Sequence, residues 1–119
     1  MPERDRPPYA VEMMARIDRM QRTRAAEQDA LGIVRAFNAR LSTRPSAGFW
    51  PTISTALTAR HPWLVIACDS CGTVVDLDLR VKPRDPEASV RVALRDVRCP
   101  RCNGHGRSRI AGLAPRPSI

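Results

Sequence analysis

The chain contains four cysteines, and they fall into two pairs of identical spacing, Cys68-Asp69-Ser70-Cys71 and Cys99-Pro100-Arg101-Cys102. A C-x2-C turn aims two thiolates at one point, and two such turns supply the four sulfurs of a tetrahedral Zn2+ site. The spacing therefore predicts one zinc ion per chain, held by Cys68, Cys71, Cys99 and Cys102. Four sulfurs leave no position for water, so the expected site is structural and not catalytic. Gly72, directly after the first pair, permits the left-handed backbone that ends such a turn. Pro100 stiffens the second turn, and Arg98 and Arg101 flank it, where they can offset the negative charge of the thiolates.

No other constellation of residues suggests a reaction. Gly104-His105-Gly106 has neither the lysine nor the following helix of a phosphate-binding loop. Asp76 and Asp78 alternate along one strand and read as its solvated face. His61 precedes a proline and reads as a capping or surface residue. His105 lies three residues past Cys102 and reads as a loop histidine, with a place in or beside the metal site as the alternative. No enzyme and no small-molecule substrate are expected.

The elements that must carry the site follow from periodicity. Residues 1–8 are proline-rich and charged, a frayed leader. From Tyr9 to Ser42 the chain holds no proline, and two apolar stripes recur at helical spacing: Met13, Met14, Ile17 and Met20, then Ala30, Leu31, Val34, Phe37 and Leu41. The polar stretch between them allows either one long helix or two. This arm, residues 9–42, must bury its stripes on its own ribbon or on a partner, including a second copy. The methionines read as core filling. Residues 43–50 are a linker, and 51–113 form the ribbon domain.

Within that domain a short helix is expected from Thr52 to Arg60, with Pro51 in its first turn and His61-Pro62 as its stop. Trp63 to Ala67 is a buried strand leading into the first cysteine turn. Residues 73–82 alternate as a strand, Val75, Leu77, Leu79 and Val81 facing the core. Asp85, Pro86 and Glu87 are helix-starting chemistry and predict a helix to Arg95. Val90, Val92 and Leu94 also alternate as a strand would, but the capping residues favour the helix. Val97-Arg98 leads as a short strand into the second turn, Arg107 to Leu113 is the last strand, and 114–119 is a disordered tail. The fold class is α+β: a small zinc-ribbon sheet with short helices behind an N-terminal helical arm.

Composition narrows the partners. At 119 residues, with 43% hydrophobic and 27% charged side chains, the chain is one small domain with an appendage. No apolar run is long enough to span a bilayer, and no apolar stretch follows the N-terminus as in a secretory signal. A reducing, cytoplasmic setting is expected, where paired cysteines favour metal over disulfide. The net charge is +8, and Arg98, Arg101, Arg107, Arg109 and Arg116 follow one another with no acid among them. Such a tail suits DNA or RNA phosphates. Two features oppose that reading. Basic residues are 19 arginines against one lysine, a skew that nucleotide composition alone produces, and none of the five aromatics stands among those arginines to stack on bases.

Three local resemblances accompany these residues. Cys99-Pro100-Arg101-Cys102-Asn103-Gly104-His105-Gly106 resembles the C-x2-C-x-G-x-G repeat of the zinc-binding region of the DnaJ co-chaperones. The first pair lacks the second glycine and the chain has no His-Pro-Asp triplet, so this likeness implies a shared turn geometry. Over residues 50–113 the chain resembles a group of small uncharacterised bacterial zinc-ribbon proteins. The likeness rests on Pro51-Thr52-Ile53, Trp63-Leu64, both cysteine pairs, Asp76-Leu77-Asp78-Leu79-Arg80 and Leu94. It implies the fold and the four ligands, and no activity. The turns also resemble rubredoxin knuckles, which would hold iron and carry electrons, although rubredoxins are acidic and rich in core aromatics. Two functions lead: a zinc-ribbon module whose arginines contact nucleic acid, and a zinc-stabilised interaction or dimerisation module acting through residues 9–42.

Overall fold

A computed structural model describes residues 8–102 and 108–118. Helix α1 runs unbroken from Pro8 to Thr43, followed by a short helix α2 (Ile53–Thr58). Three strands, β1 (Trp63–Cys68), β2 (Val74–Asp78) and β3 (Ser108–Ala114), form an antiparallel sheet in the order β2-β1-β3. A 3-10 helix, Val90–Asp96, lies between β2 and β3. The architecture is α+β, with one long helix ahead of a small sheet.

The question of one helix or two resolves to one. Pro8 sits at the start, where its missing N–H costs nothing. Pro45 follows the end, and the Arg44 N–H donates to the Arg40 carbonyl at 2.9 Å. At about 1.5 Å per residue, 36 residues make a rod of about 54 Å. The molecule is correspondingly elongated, 72 × 28 × 25 Å.

Only the second half of that rod is covered. Ala30, Val34 and Phe37 enter a core shared with Ile53 and Ala56 of α2, Leu64 and Ile66 of β1, Val90 and Ala93 of the 3-10 helix, and Ile110 and Leu113 of β3. Phe37 meets Phe49 edge-on at 5.9 Å and Trp50 at 5.8 Å. Asn38 fixes the helix on edge strand β3 with two backbone bonds. Its Nδ2 donates to the Leu113 carbonyl, and its Oδ1 accepts from the Leu113 N–H, each at 2.9 Å. Gly112 makes room for this, since a Cβ there would lie 3.0 Å from the Asn38 oxygen. The expectation that the methionine stripe fills the core fails. Met13, Ile17 and Met20 stay 51–58% exposed, because the body ends before it reaches them.

Several local expectations are corrected. Thr52 is the N-cap of α2, its hydroxyl accepting from the Thr55 N–H at 3.0 Å, so Pro51 precedes the helix. The His61 ring does bond the helix end, at Ala59 O. Strand β2 stops at Asp78, short of the expected residue 82. The Asp78 carboxylate accepts from the Arg80 backbone N–H and guanidinium, which bends the chain into a turn and leaves Val81 78% exposed. Asp76, the other acid of that face, accepts from the Ser118 N–H and hydroxyl. The helix expected from Pro86 begins only at Val90, and as a 3-10 helix. The Pro86 and Ala88 carbonyls accept instead from Ser54 and Ile53 at the start of α2. Residues 97–98 form no strand: Val97 is extended, but its N–H donates to the Leu94 carbonyl and not to a neighbouring strand. Among the described residues no helix is long and apolar enough to cross a membrane.

Candidate metal centre

The sheet register brings the two cysteine turns together. The β1–β2 hairpin closes at Ala67 opposite Val74, and Cys68 N–H donates to the Thr73 carbonyl at 2.9 Å. The six residues from Cys68 to Thr73 thus form a tight turn at the end of the sheet. Gly72 completes it at φ +73°, a conformation a side chain would strain, with its N–H bonded to the Cys68 carbonyl. Cys68 also lies opposite Ser108, the first residue of β3. The second turn comes just before β3 in sequence and is delivered to the same end of the sheet.

All four sulfurs lie within 4.8 Å of one another. Across the turns, Cys68 Sγ is 3.6 Å from Cys102 Sγ, and Cys71 Sγ is 3.4 Å from Cys99 Sγ. A tetrahedron of zinc–sulfur bonds near 2.3 Å has edges of about 3.8 Å, so the cluster has the size of a four-thiolate site. Cys68 and Cys99 are buried, and Cys71 and Cys102 face solvent.

The surroundings favour the ionised sulfurs that a metal requires. Backbone N–H groups of Cys102 and Arg101 point at the Cys99 sulfur and hold its pKa down to about 6 against burial. The Thr73 hydroxyl, 3.1 Å from the Cys71 sulfur, and the Thr73 N–H lower the Cys71 pKa as well. Asp69, inside the first turn, accepts from Arg109 Nε of β3 at 2.9 Å and ties the turn to the sheet.

The four cysteines are therefore brought together, and the described arginines only in part. Arg98 and Arg101 are exposed on the second turn, and Arg109 is near the same end but engaged by Asp69. Arg116 follows Ala114, which pairs with Trp63 at the opposite end of β1, so the length of β3 separates it from the cysteines. Arg107 and His105 lie outside the described residues. Three aromatics already carry arginines of this chain: Arg40 on Phe49, Arg91 on Trp50 and Arg80 on Trp63, at 5.2–5.8 Å. Sequence reasoning missed Thr73, the Asp69–Arg109 tether and the Asn38–Leu113 clasp. The available signals were a hydroxyl two residues past Cys71, and an asparagine on an apolar helix face with a glycine inside a strand.

Compared with protein-family models, curated proteins and solved structures, the chain matches none of them. What stands of the resemblances is the cluster of four cysteines able to hold a metal ion.

Proposed function

We propose that the chain is a zinc-clipped docking module, in which a closed four-cysteine site braces a small sheet and the sheet braces a projecting helical arm. The observation that carries it is the state of the arm. Tyr9, Val11, Met13, Met14, Ile17 and Met20 are all more than half exposed on the first half of α1. Of these, Tyr9, Met13, Ile17 and Met20 share one face at spacings of four and three, and apolar surface gathered on one exposed face marks an interaction site. Zinc suits four thiolates and contributes folding free energy without chemistry of its own. On this reading the metal takes no part in a reaction, and the chain acts in the cytoplasm by binding protein.

A photo-reactive amino acid placed at position 13, 17 or 20 in living cells tests the docking role. Adducts at these positions, and none at exposed Arg22, are expected. No adduct at any arm position would refute the reading.

A second reading rests on Arg98 and Arg101, which are exposed and have no ion-pair partner among the described residues. With Arg109, and with Arg107 and Arg116 from the sequence, they would contact DNA or RNA phosphates. Such binding falls steeply as salt rises. Absent or salt-independent binding to both nucleic acids excludes it. Iron in place of zinc, the electron-carrier alternative, is separated by colour, since a ferric four-sulfur site is red and a zinc site colourless.

A further inference from the structure

The exposed stripe of the arm and the buried stripe of the body belong to one seam. Spacings of four and three residues run from Met13 through Ile17, Met20 and Arg24 to Glu27, Leu31 and Val34. The seam changes surroundings at Glu27, whose carboxylate accepts from Arg60 of the body at 3.2 Å. Beyond it Leu31 packs on the core and Val34 is fully buried. The chain's own body thus occupies the seam from Glu27 onward and leaves residues 8–24 uncovered.

We infer that this uncovered stretch pairs with the same stretch of a second copy, antiparallel, about a twofold axis near Ile17. The inference rests on the docking role proposed for the arm and names its partner. Three observations select this occupant and direction.

Space is the first. A partner helix running parallel on this seam would continue past residue 24 into the volume that the body fills. An antiparallel copy carries its body away to the far end, and each arm stops where the partner's body begins. At that junction an open groove of about 340 Å³, lined by Arg16, Met20, Arg24 and Arg60 among others, can receive the partner's arm tip.

Charge is the second. The outer part of the arm, residues 8–15, carries one charge, Glu12, while residues 16–24 carry Arg16, Arg19, Arg22 and Arg24 against Asp18 alone. Antiparallel pairing sets the acidic half beside the basic half, whereas parallel pairing sets arginine beside arginine. The antiparallel arrangement also opposes the two helix dipoles.

Area is the third. A specific interface needs about 1,000 Å², and two exposed arm segments of residues 8–24, each about 26 Å of helix, together with each arm tip on the partner's body, are the surface available to reach it. The contact is isologous, so it closes at two copies. The dimer is consequently concentration-dependent, held by Met13, Ile17 and Met20 at its centre.

Sedimentation equilibrium of the zinc-loaded full chain, over a wide concentration range, tests this directly. A shift from the chain mass of 13.2 kDa toward twice that value is expected. Ile17→Glu, and independently Met20→Glu, should weaken association about 30-fold or more while leaving zinc content and circular dichroism unchanged. Glu12→Arg should weaken it less. Probes placed at position 24 of both copies report direction: about 20 Å apart for antiparallel arms, about 10 Å for parallel ones. A monomer at every concentration, association untouched by both glutamate variants, or a short probe distance would each overturn the inference. Loss of the second copy and loss of the docking role are distinguishable. A monomer whose position 17 still crosslinks to another protein in cells refutes only the pairing, and no adduct at all refutes both.

Discussion

The two halves of α1 use similar side chains at similar spacing and meet opposite fates. Val34 and Phe37 are fully buried, while Met13 and Ile17, about five to seven turns earlier on the same unbroken helix, are 58% and 51% exposed. Helical pattern alone does not distinguish them, because it reports an apolar face and not what covers that face. The difference lies in the body that packs on the helix. Together with α2, its edge strand β3 covers about half of a rod of about 54 Å, and contacts of Glu27 with Arg60 and of Asn38 with Leu113 hold that half in place. Stability is concentrated in one half of the helix, and the surface available for recognition in the other.

The largest expected effect comes from the metal that the four cysteines are proposed to hold. The Cys99 thiol falls from an ordinary 9.0 to about 6, which favours the folded form with its sulfur ionised. That contribution is complete above about pH 9, declines as pH falls and is gone below about 6. Zinc retention against a fixed chelator should follow the same course, and retention that improves on acidification would contradict it. Next, Phe37→Ala should cost about 3–5 kcal/mol in denaturant titrations, enough to threaten the fold. Asn38→Ala should cost about 1–3 kcal/mol, since it strips two partly buried backbone groups of β3 of their partner. Ile17→Ala, the same kind of truncation on the arm, should stay within about 0.5 kcal/mol when measured on the monomer. Equal costs for Phe37→Ala and Ile17→Ala would erase the distinction between the halves.

Much of this was legible in the sequence, for identifiable reasons. The cluster of four cysteines was, because C-x2-C spacing is a geometric requirement that few other structures impose. Strand β1 was, as an apolar run leading into the first cysteine turn, and so was helix over residues 9–42, from two stripes at helical spacing without a proline; the polar stretch between the stripes hid that it is one helix and not two. Residues 86–89 were misread because Asp85 and Pro86 offer helix-starting chemistry. The carbonyls such a helix would use are taken by Ile53 and Ser54, more than 30 residues earlier, and no local pattern records that competition. The early end of β2 was hidden by alternation that continues to Val81. The Asp78–Arg80 turn overrides it with three hydrogen bonds. The arginines were read as one group because they are neighbours in sequence, yet β3 carries Arg109 and Arg116 to different ends of the sheet.

The four cysteines are proposed to act as the clip of the folded body. Elemental analysis of the purified chain, followed by chelator titration under far-ultraviolet circular dichroism, tests this most directly. One zinc per chain is expected, with sheet and helix signals lost together as it is withdrawn. A chain that keeps its full spectrum after complete removal of the metal would contradict the account.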